Sequence, residues 1–340
     1  MNVLLTWQAT PEEVQLIRRH VPEDVELVMT PVRPYRRRFE CDVADMMELA
    51  KDVDVIMGWA EIPGEVLECA KNLKFISWLH AGCDQLDFPT LRALGIKVSN
   101  VSGGTLKVAV AEQAFAFVLG LARRLMENHR DLAEAKWVAP WEPEYMGVGL
   151  MGKTMVIVGL GSIGEEIAKR AKAFEMRVVG VDRVERAGSS ADEVVPPEEL
   201  LNALSQADFV VLAVPLTPET RHLISEDELR AMRSGAYLIN ICRGDVVHEG
   251  PLARALSEGW IAGFASDVWW DYPDAMPPSY HFAVPSRLGV HRMTNVLGSG
   301  DKAFNIPRFK DGMIGMGAES VGAFVRGEVP PRLVDLDLGY

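Results

Sequence analysis

Short apolar runs alternate with segments of three- and four-residue apolar spacing from the first residues onward. Val3–Trp7, Leu27–Met29, Val53–Met57 and Phe75–Leu79 have strand length and strand composition. Between them Pro11–His20, Val43–Lys51 and Pro63–Ala70 carry helical spacing with a turn residue near the start. From Thr105 to Glu127 the positions Leu106, Val110, Ala114, Phe117, Leu121 and Leu125 predict one long helix with a buried face. A second series then begins, with strands expected at Met155–Val158, Val178–Val181, Phe209–Val214, Tyr237–Ile241 and Gly263–Asp267. Strands alternating with helices imply α/β architecture with parallel strands and crossover connections. A further helix, Pro307–Val325, is not needed for the second sheet and is free to return to the first.

The second series opens on a chemical signal. Met155-Val156-Ile157-Val158 runs into Gly159-Leu160-Gly161-Ser162-Ile163-Gly164 and then a helix, the strand, turn and helix order that a dinucleotide needs. The first glycine permits the tight turn, the second lets the backbone approach a pyrophosphate, and the third lets the helix pack on the sheet. The N–H groups at the helix start, from Ser162 and Ile163 onward, then face the phosphates. Asp182 stands 18 residues beyond Gly164 at the end of the next apolar strand, where a carboxylate accepts hydrogen bonds from ribose hydroxyls and repels a 2′-phosphate. NAD is therefore the expected cofactor, although Arg183 and Arg186 follow at once.

At 340 residues two lobes are expected, and 48% hydrophobic against 24% charged residues is ordinary globular composition. A net charge of -13 argues against nucleic acid or an anionic membrane as partner. No apolar run reaches the length expected of a membrane helix, and the first residues lack a signal peptide's basic start, so a cytoplasmic protein is expected. Cys41, Cys69, Cys83 and Cys242 are scattered without a CxxC pair, which predicts reduced thiols and no metal site. One stretch opposes the net charge: Arg33, Arg36, Arg37 and Arg38 lie within six residues. They read either as a solvated loop or as readers of a second anionic group on the substrate, such as a phosphate or distal carboxylate.

Ala213-Val214-Pro215-Leu216-Thr217-Pro218-Glu219-Thr220 and Asn240-Ile241-Cys242-Arg243-Gly244-Asp245-Val246-Val247 resemble the D-isomer-specific 2-hydroxyacid dehydrogenase family. Leu79–Asp87, Val110–Gln113 and Ala265–Trp269 extend the resemblance over most of the chain. It implies two Rossmann-like lobes: a flavodoxin-like substrate domain (1–103 plus 294–340) and a doubly wound NAD-binding domain (104–293), with substrate in a cleft bordered by the crossings. It further implies hydride transfer between NAD(H) and C2 of a small 2-hydroxy or 2-keto acid in a homodimer. Residues 137–150, with Trp141, Tyr145 and Met146, are candidates for the dimer interface.

Residue by residue, the resemblance implies that Arg243 holds the substrate carboxylate and polarises the carbonyl. His291, expected at a strand end after Leu288-Gly289-Val290, exchanges the hydroxyl proton. The amides of Ala81, Gly82 and Cys83 meet the substrate; Pro215, Thr220 and Cys242 line the cofactor, and Asp267 holds the nicotinamide amide. The glutamate that should raise the histidine's pKa is absent: its position is Tyr272, with Asp271 beside it, and either residue is a candidate partner for His291. Two other readings stay open, a dehydrogenase of another small anion (formate or phosphite type) and a non-enzymatic NAD(H)-sensing module.

Overall fold

The computed structural model describes residues 1–32, 38, 41–137, 141–184, 188–271 and 284–340. These fall into two compact units, Met1–Thr105 with Ile306–Tyr340, and residues 106–271 with 284–305.

In chain order the first unit has β1 (Asn2–Leu5), α1 (Pro11–Arg18), β2 (Glu26–Met29), α2 (Val43–Ala50), β3 (Val55–Gly58), α3 (Gly64–Cys69), β4 (Phe75–Trp78), α4 (Phe88–Leu94) and β5 (Lys97–Ser99). The second follows with α5 (Gly104–Ala122), α6 (Leu125–Ala133), β6 (Thr154–Val158), α7 (Ser162–Ala173), β7 (Arg177–Val181), β8 (Glu193–Val195) and α8 (Leu200–Gln206). It continues through β9 (Phe209–Leu212), α9 (Glu226–Ala231), β10 (Tyr237–Asn240), α10 (Glu249–Ser257), β11 (Gly263–Ser266) and β12 (Val296–Gly298). α11 (Phe309–Val325) belongs to the first unit.

The first sheet has the order β2-β1-β3-β4-β5 with every pairing parallel, the flavodoxin-like arrangement. β3 and β4 are buried at every position, as central parallel strands covered on both faces must be. One cover is α11: Phe324 stacks on Phe75 with ring centroids 4.8 Å apart, and Ser77 Oγ donates to the Gly317 carbonyl at 3.1 Å. The approach needs glycine, because a Cβ at residue 317 would lie 2.3 Å from Leu79. Beyond α11 the chain pairs antiparallel with the exposed edge of β5 through Ser99 and Leu333, which blunts that edge.

The second sheet is also wholly parallel, in the order β12-β11-β10-β9-β6-β7-β8. The order in which strands are added reverses between β6 and β9, so the crevice at their carboxyl ends is the topological switch point where ligands bind in such sheets.

The structure amends three sequence expectations. The helix expected over 105–127 breaks at Arg124, which adopts φ 50°; Leu125, placed on its buried face, is exposed on α6, and α6 buries no residue. β5, β8 and β12 have three residues each, too few for periodicity to reveal. α5, with 19 residues and a mean hydropathy of 1.5, is long and apolar enough to cross a membrane. Its apolar positions are instead largely buried within the protein: Phe115 stacks on Phe174, and Gly120 lies against Leu297.

Candidate active site

The glycine turn after β6 is built as the motif requires. Gly159 has φ +96°, and a Cβ there would stand 2.6 Å from the Ala213 carbonyl oxygen; a Cβ on Gly164 would stand 2.0 Å from the Gly159 carbonyl oxygen. These two glycines are fixed by the protein's own packing. At Gly161 a Cβ would meet nothing within 4 Å. What needs the missing side chain is therefore a ligand approaching the backbone, and α7 begins there with no side chain capping its N–H groups. The residues fit a dinucleotide pyrophosphate.

Asp182 leaves the end of β7 with its carboxylate already oriented: Oδ2 accepts from the Leu160 N–H (2.7 Å) and Oδ1 from the Val184 N–H (3.0 Å). A carboxylate pinned against the glycine turn suits ribose hydroxyls and excludes a 2′-phosphate. Arg183 beside it is drawn to Glu219 at 2.8 Å. After β9 the turn closes on itself, with Thr220 Oγ1 donating to the Pro215 carbonyl (2.6 Å) and accepting from the Thr217 N–H (2.8 Å).

β10 ends in Asn240, which is fully buried and ties down the next three residues. Its Oδ1 accepts from the Cys242 N–H (3.1 Å) and thiol (3.0 Å), and its Nδ2 donates to the Arg243 carbonyl (2.8 Å). Burial pushes the Cys242 thiol up to about 11, so it stays protonated. Gly244 follows because a Cβ there would lie 2.2 Å from the Trp269 carbonyl oxygen. Arg243 thus leaves the strand from a rigid seat, which is what a guanidinium stabilising a developing alkoxide needs.

In the first unit the loop after β4 turns its carbonyls inward. His80 O accepts from Val101 N–H (3.1 Å), Ala81 O from Asn100 Nδ2 (3.0 Å), Gly82 O from Trp78 Nε1 (2.9 Å) and Cys83 O from Leu86 N–H (3.0 Å). The N–H groups of Ala81 and Gly82 donate to no acceptor among the described residues. Two consecutive N–H groups without an acceptor in the protein are candidate donors to an anion.

Three expected site residues are placed differently, and a fourth lies outside the described residues. Leu288-Gly289-Val290 is a turn rather than a strand end: Gly289 takes φ +76°, Val290 is drawn into the core, and the last strand begins only at Val296. His291 accordingly stands ahead of β12, its ring edge-on to Trp269 at 6.2 Å, with Nδ1 buried and unpaired among the described residues. Asp271 directs both carboxylate oxygens to Arg287, at 2.6 and 3.0 Å, so that carboxylate is not on the imidazole. Tyr272, the other candidate partner, lies outside the described residues. Asp267, 2% exposed, spends its carboxylate on the loop after β12: it accepts from Ser299 Oγ, from the Lys302 N–H (2.9 and 3.1 Å) and from the Ala303 N–H (2.9 Å). A nicotinamide amide would have to compete for oxygens already occupied.

Of the arginine run, Arg33, Arg36 and Arg37 lie outside the described residues, as does Arg186. Arg38 makes a two-point pair with Glu13, at 2.5 and 2.7 Å. Burial alone would raise the Glu13 carboxyl, but the Arg38, Thr10 and Trp7 hydrogen bonds hold it below its ordinary value. Arg38 therefore supports the first unit's fold and is committed there.

Sequence reasoning missed Asn240 and Ser299. Asn240 had a signal in its place at the end of an apolar strand. Ser299 had none, because the strand that positions it is three residues long.

A doubly wound sheet with this glycine turn, an oriented acidic residue on the second strand and a seated arginine defines an NAD-dependent oxidoreductase. The family description "D-isomer specific 2-hydroxyacid dehydrogenase, NAD binding domain" matches residues 115–286. A glyoxylate reductase of Korarchaeum cryptofilum is 37% identical over 299 residues, 86% of each chain. One of Thermococcus litoralis is 33% identical over 345 residues, 99% of this chain and 97% of the other. A solved structure from Thermus thermophilus superposes with a TM-score of 0.74 at 29% identity, covering 98% of this chain and 100% of the other. The chain belongs to the D-isomer-specific 2-hydroxyacid dehydrogenase family. It is an NAD-dependent enzyme acting on CH–OH donors, moving a hydride between NAD(H) and C2 of a small 2-hydroxy or 2-keto acid. These relatives lend no support to a formate- or phosphite-type dehydrogenase or a sensing module.

Proposed function

We propose that the chain reduces a short 2-keto acid of the glyoxylate type, with NADH preferred to NADPH. The observation that carries the reading is the pair of fixed groups at the carboxyl edge of the second sheet, the oriented Asp182 carboxylate and the Arg243 guanidinium seated by Asn240. The names of the relatives supply the substrate class.

The bound dinucleotide supplies the hydride. The N–H groups from Ser162 to Gly164 receive its pyrophosphate and Asp182 its adenosine ribose; Arg183, Pro215, Thr220 and Cys242 line the same edge. Arg243 pairs with the substrate carboxylate and draws electron density toward the carbonyl oxygen, so that charge building there meets a cation already in place. The amides of Ala81, Gly82 and Cys83 offer the first unit's own site for a carboxylate. The substrate is a small anion, and the protein works as a cytoplasmic homodimer, a reading supported by four cysteines outside any disulfide and by the exposed Trp137, Trp141 and Met146.

NADH oxidation with glyoxylate, and with 2-keto acids bearing methyl, hydroxymethyl and carboxymethyl side chains, tests the substrate class. Highest kcat/KM is expected for glyoxylate and for the acids with a one-carbon side chain. Higher efficiency with the carboxymethyl acid would point to a second anionic group and overturn the choice.

A further inference from the structure

A trans peptide is planar, so its C=O and N–H point in opposite directions. Whatever pins one carbonyl therefore aims the N–H of the next residue. In the loop after β4, whose peptides are trans, three successive carbonyls are pinned. His80 O accepts from the Val101 N–H (3.1 Å), Ala81 O from Asn100 Nδ2 (3.0 Å) and Gly82 O from Trp78 Nε1 (2.9 Å). The first bond turns the Ala81 N–H away from Val101, and the second turns the Gly82 N–H away from Asn100. Neither N–H meets an acceptor among the described residues.

Gly82 most needs restraint, because glycine is free at both backbone dihedrals. Its two flanking peptides are the ones that side chains hold, Asn100 on the peptide before it and Trp78 on the peptide after it. Both side chains have rigid seats. Trp78, the last residue of β4, is 1% exposed, and its ring lies 4.5 Å from that of His80. Asn100, just past β5, is 8% exposed, and its N–H donates to the Arg332 carbonyl (3.1 Å). Its Oδ1 accepts from the Ser102 N–H (3.2 Å), which leaves Nδ2 to face the Ala81 carbonyl and the Cys83 sulfur, the latter at 3.8 Å. An aspartate of the same shape would keep the Ser102 bond and set an oxygen against the Ala81 carbonyl, so the position calls for an amide.

We propose that Asn100 and Trp78 are positioning residues for the reaction: they fix Gly82 from both sides and aim its N–H at the carboxylate of the substrate. The inference rests on the 2-keto acid reading above and names what prepares the first unit's part of that site. Neither side chain touches the reacting atoms. Each removes freedom that the loop would otherwise lose on binding, so its contribution falls on substrate affinity and leaves the hydride step alone.

Two substitutions separate this role from packing. Trp78→Phe keeps a ring and removes only the donor to Gly82; Asn100→Ser keeps an oxygen for the Ser102 N–H and is too short to reach Ala81. With glyoxylate as substrate, each should raise KM about tenfold, while kcat and the KM for NADH stay within about twofold. The double variant should fall short of the product of the two effects, because both act on one glycine. In 15N-labelled protein loaded with NADH, the Gly82 amide signal should move when oxamate is added, a carboxylate whose carbonyl is not reduced. The oxamate concentration at half-shift should rise in both variants by the factor seen in KM. An active protein whose glyoxylate KM is unchanged in both variants overturns the proposal, as does a lowered thermal midpoint with a fall in kcat alone. A Gly82 signal indifferent to oxamate overturns it too. Inactivity of the unmodified protein on every 2-keto acid fails the substrate reading, and the Gly82 signal then decides this inference by itself.

Discussion

At the residue scale, the candidate site groups are held by the backbone around them. Asp182 is the clearest case, because the two N–H groups that fix its carboxylate belong to the glycine turn and to the residue two positions on. Replacing it with alanine removes a charge that repels a 2′-phosphate and also frees the Leu160 N–H. Steady-state kinetics of Asp182→Ala should show the NADPH-to-NADH efficiency ratio rising by about tenfold, the equivalent of roughly 1.4 kcal/mol; an unchanged ratio would remove Asp182 from cofactor choice. At this scale the sequence was informative wherever the chemistry is local. Gly159, Gly161, Gly164, Asp182 and Arg243 all sit within a few residues of a strand end that apolar runs already mark. It was uninformative for Asp267, whose carboxylate is claimed by donors from Ser299, Lys302 and Ala303, more than 30 positions away in the chain.

At the scale of elements, contacts across helices hold the nucleotide unit's scaffold. Glu166 on α7 gathers Arg170 and Lys169 from its own helix and Lys107 from α5, and these hydrogen bonds pull its carboxyl down from 4.5 to about 2. A carboxylate depressed on folding contributes stability above its unfolded pKa and loses it as pH falls through the folded value. Solvent around the lysines screens the cluster, so Glu166→Gln should cost about 1 kcal/mol at pH 7. Urea unfolding should show that difference shrinking as pH falls from 4.5 toward about 2. A difference constant across that window would assign the effect to packing. The same scale explains the divided helix: nothing in the apolar spacing of 105–127 marks Arg124 as left-handed, and the break is set by tertiary surroundings that spacing does not encode.

For the whole molecule, the largest exposed apolar side chains cluster in one part of the second unit. Leu125, Met126 and Leu132 on α6 are more than half exposed, and Trp137 and Trp141 are 87% and 79% exposed. Apolar surface of that kind on one unit is what a second copy would cover. Light scattering should give the mass of two chains for the unmodified protein and of one chain for a Trp137→Ser, Trp141→Ser variant. A monomeric unmodified protein would dismiss the interface.

The sequence by itself determined the parallel α/β plan, the dinucleotide turn, the acidic residue at the end of β7 and the arginine just past β10. Each is written in neighbouring residues: an apolar run long enough to be a strand, a glycine where no side chain fits, a charged group one step past the strand end. The tertiary structure alone decided how the segment before the last strand runs. His291 follows an apolar triplet that looks like a strand and is a turn around Gly289, and the strand beyond it has only three residues. β12 exists because Val296–Gly298 pair with Phe264–Ser266. That pairing, closed over some 30 residues of chain, is a long-range contact that local spacing cannot announce.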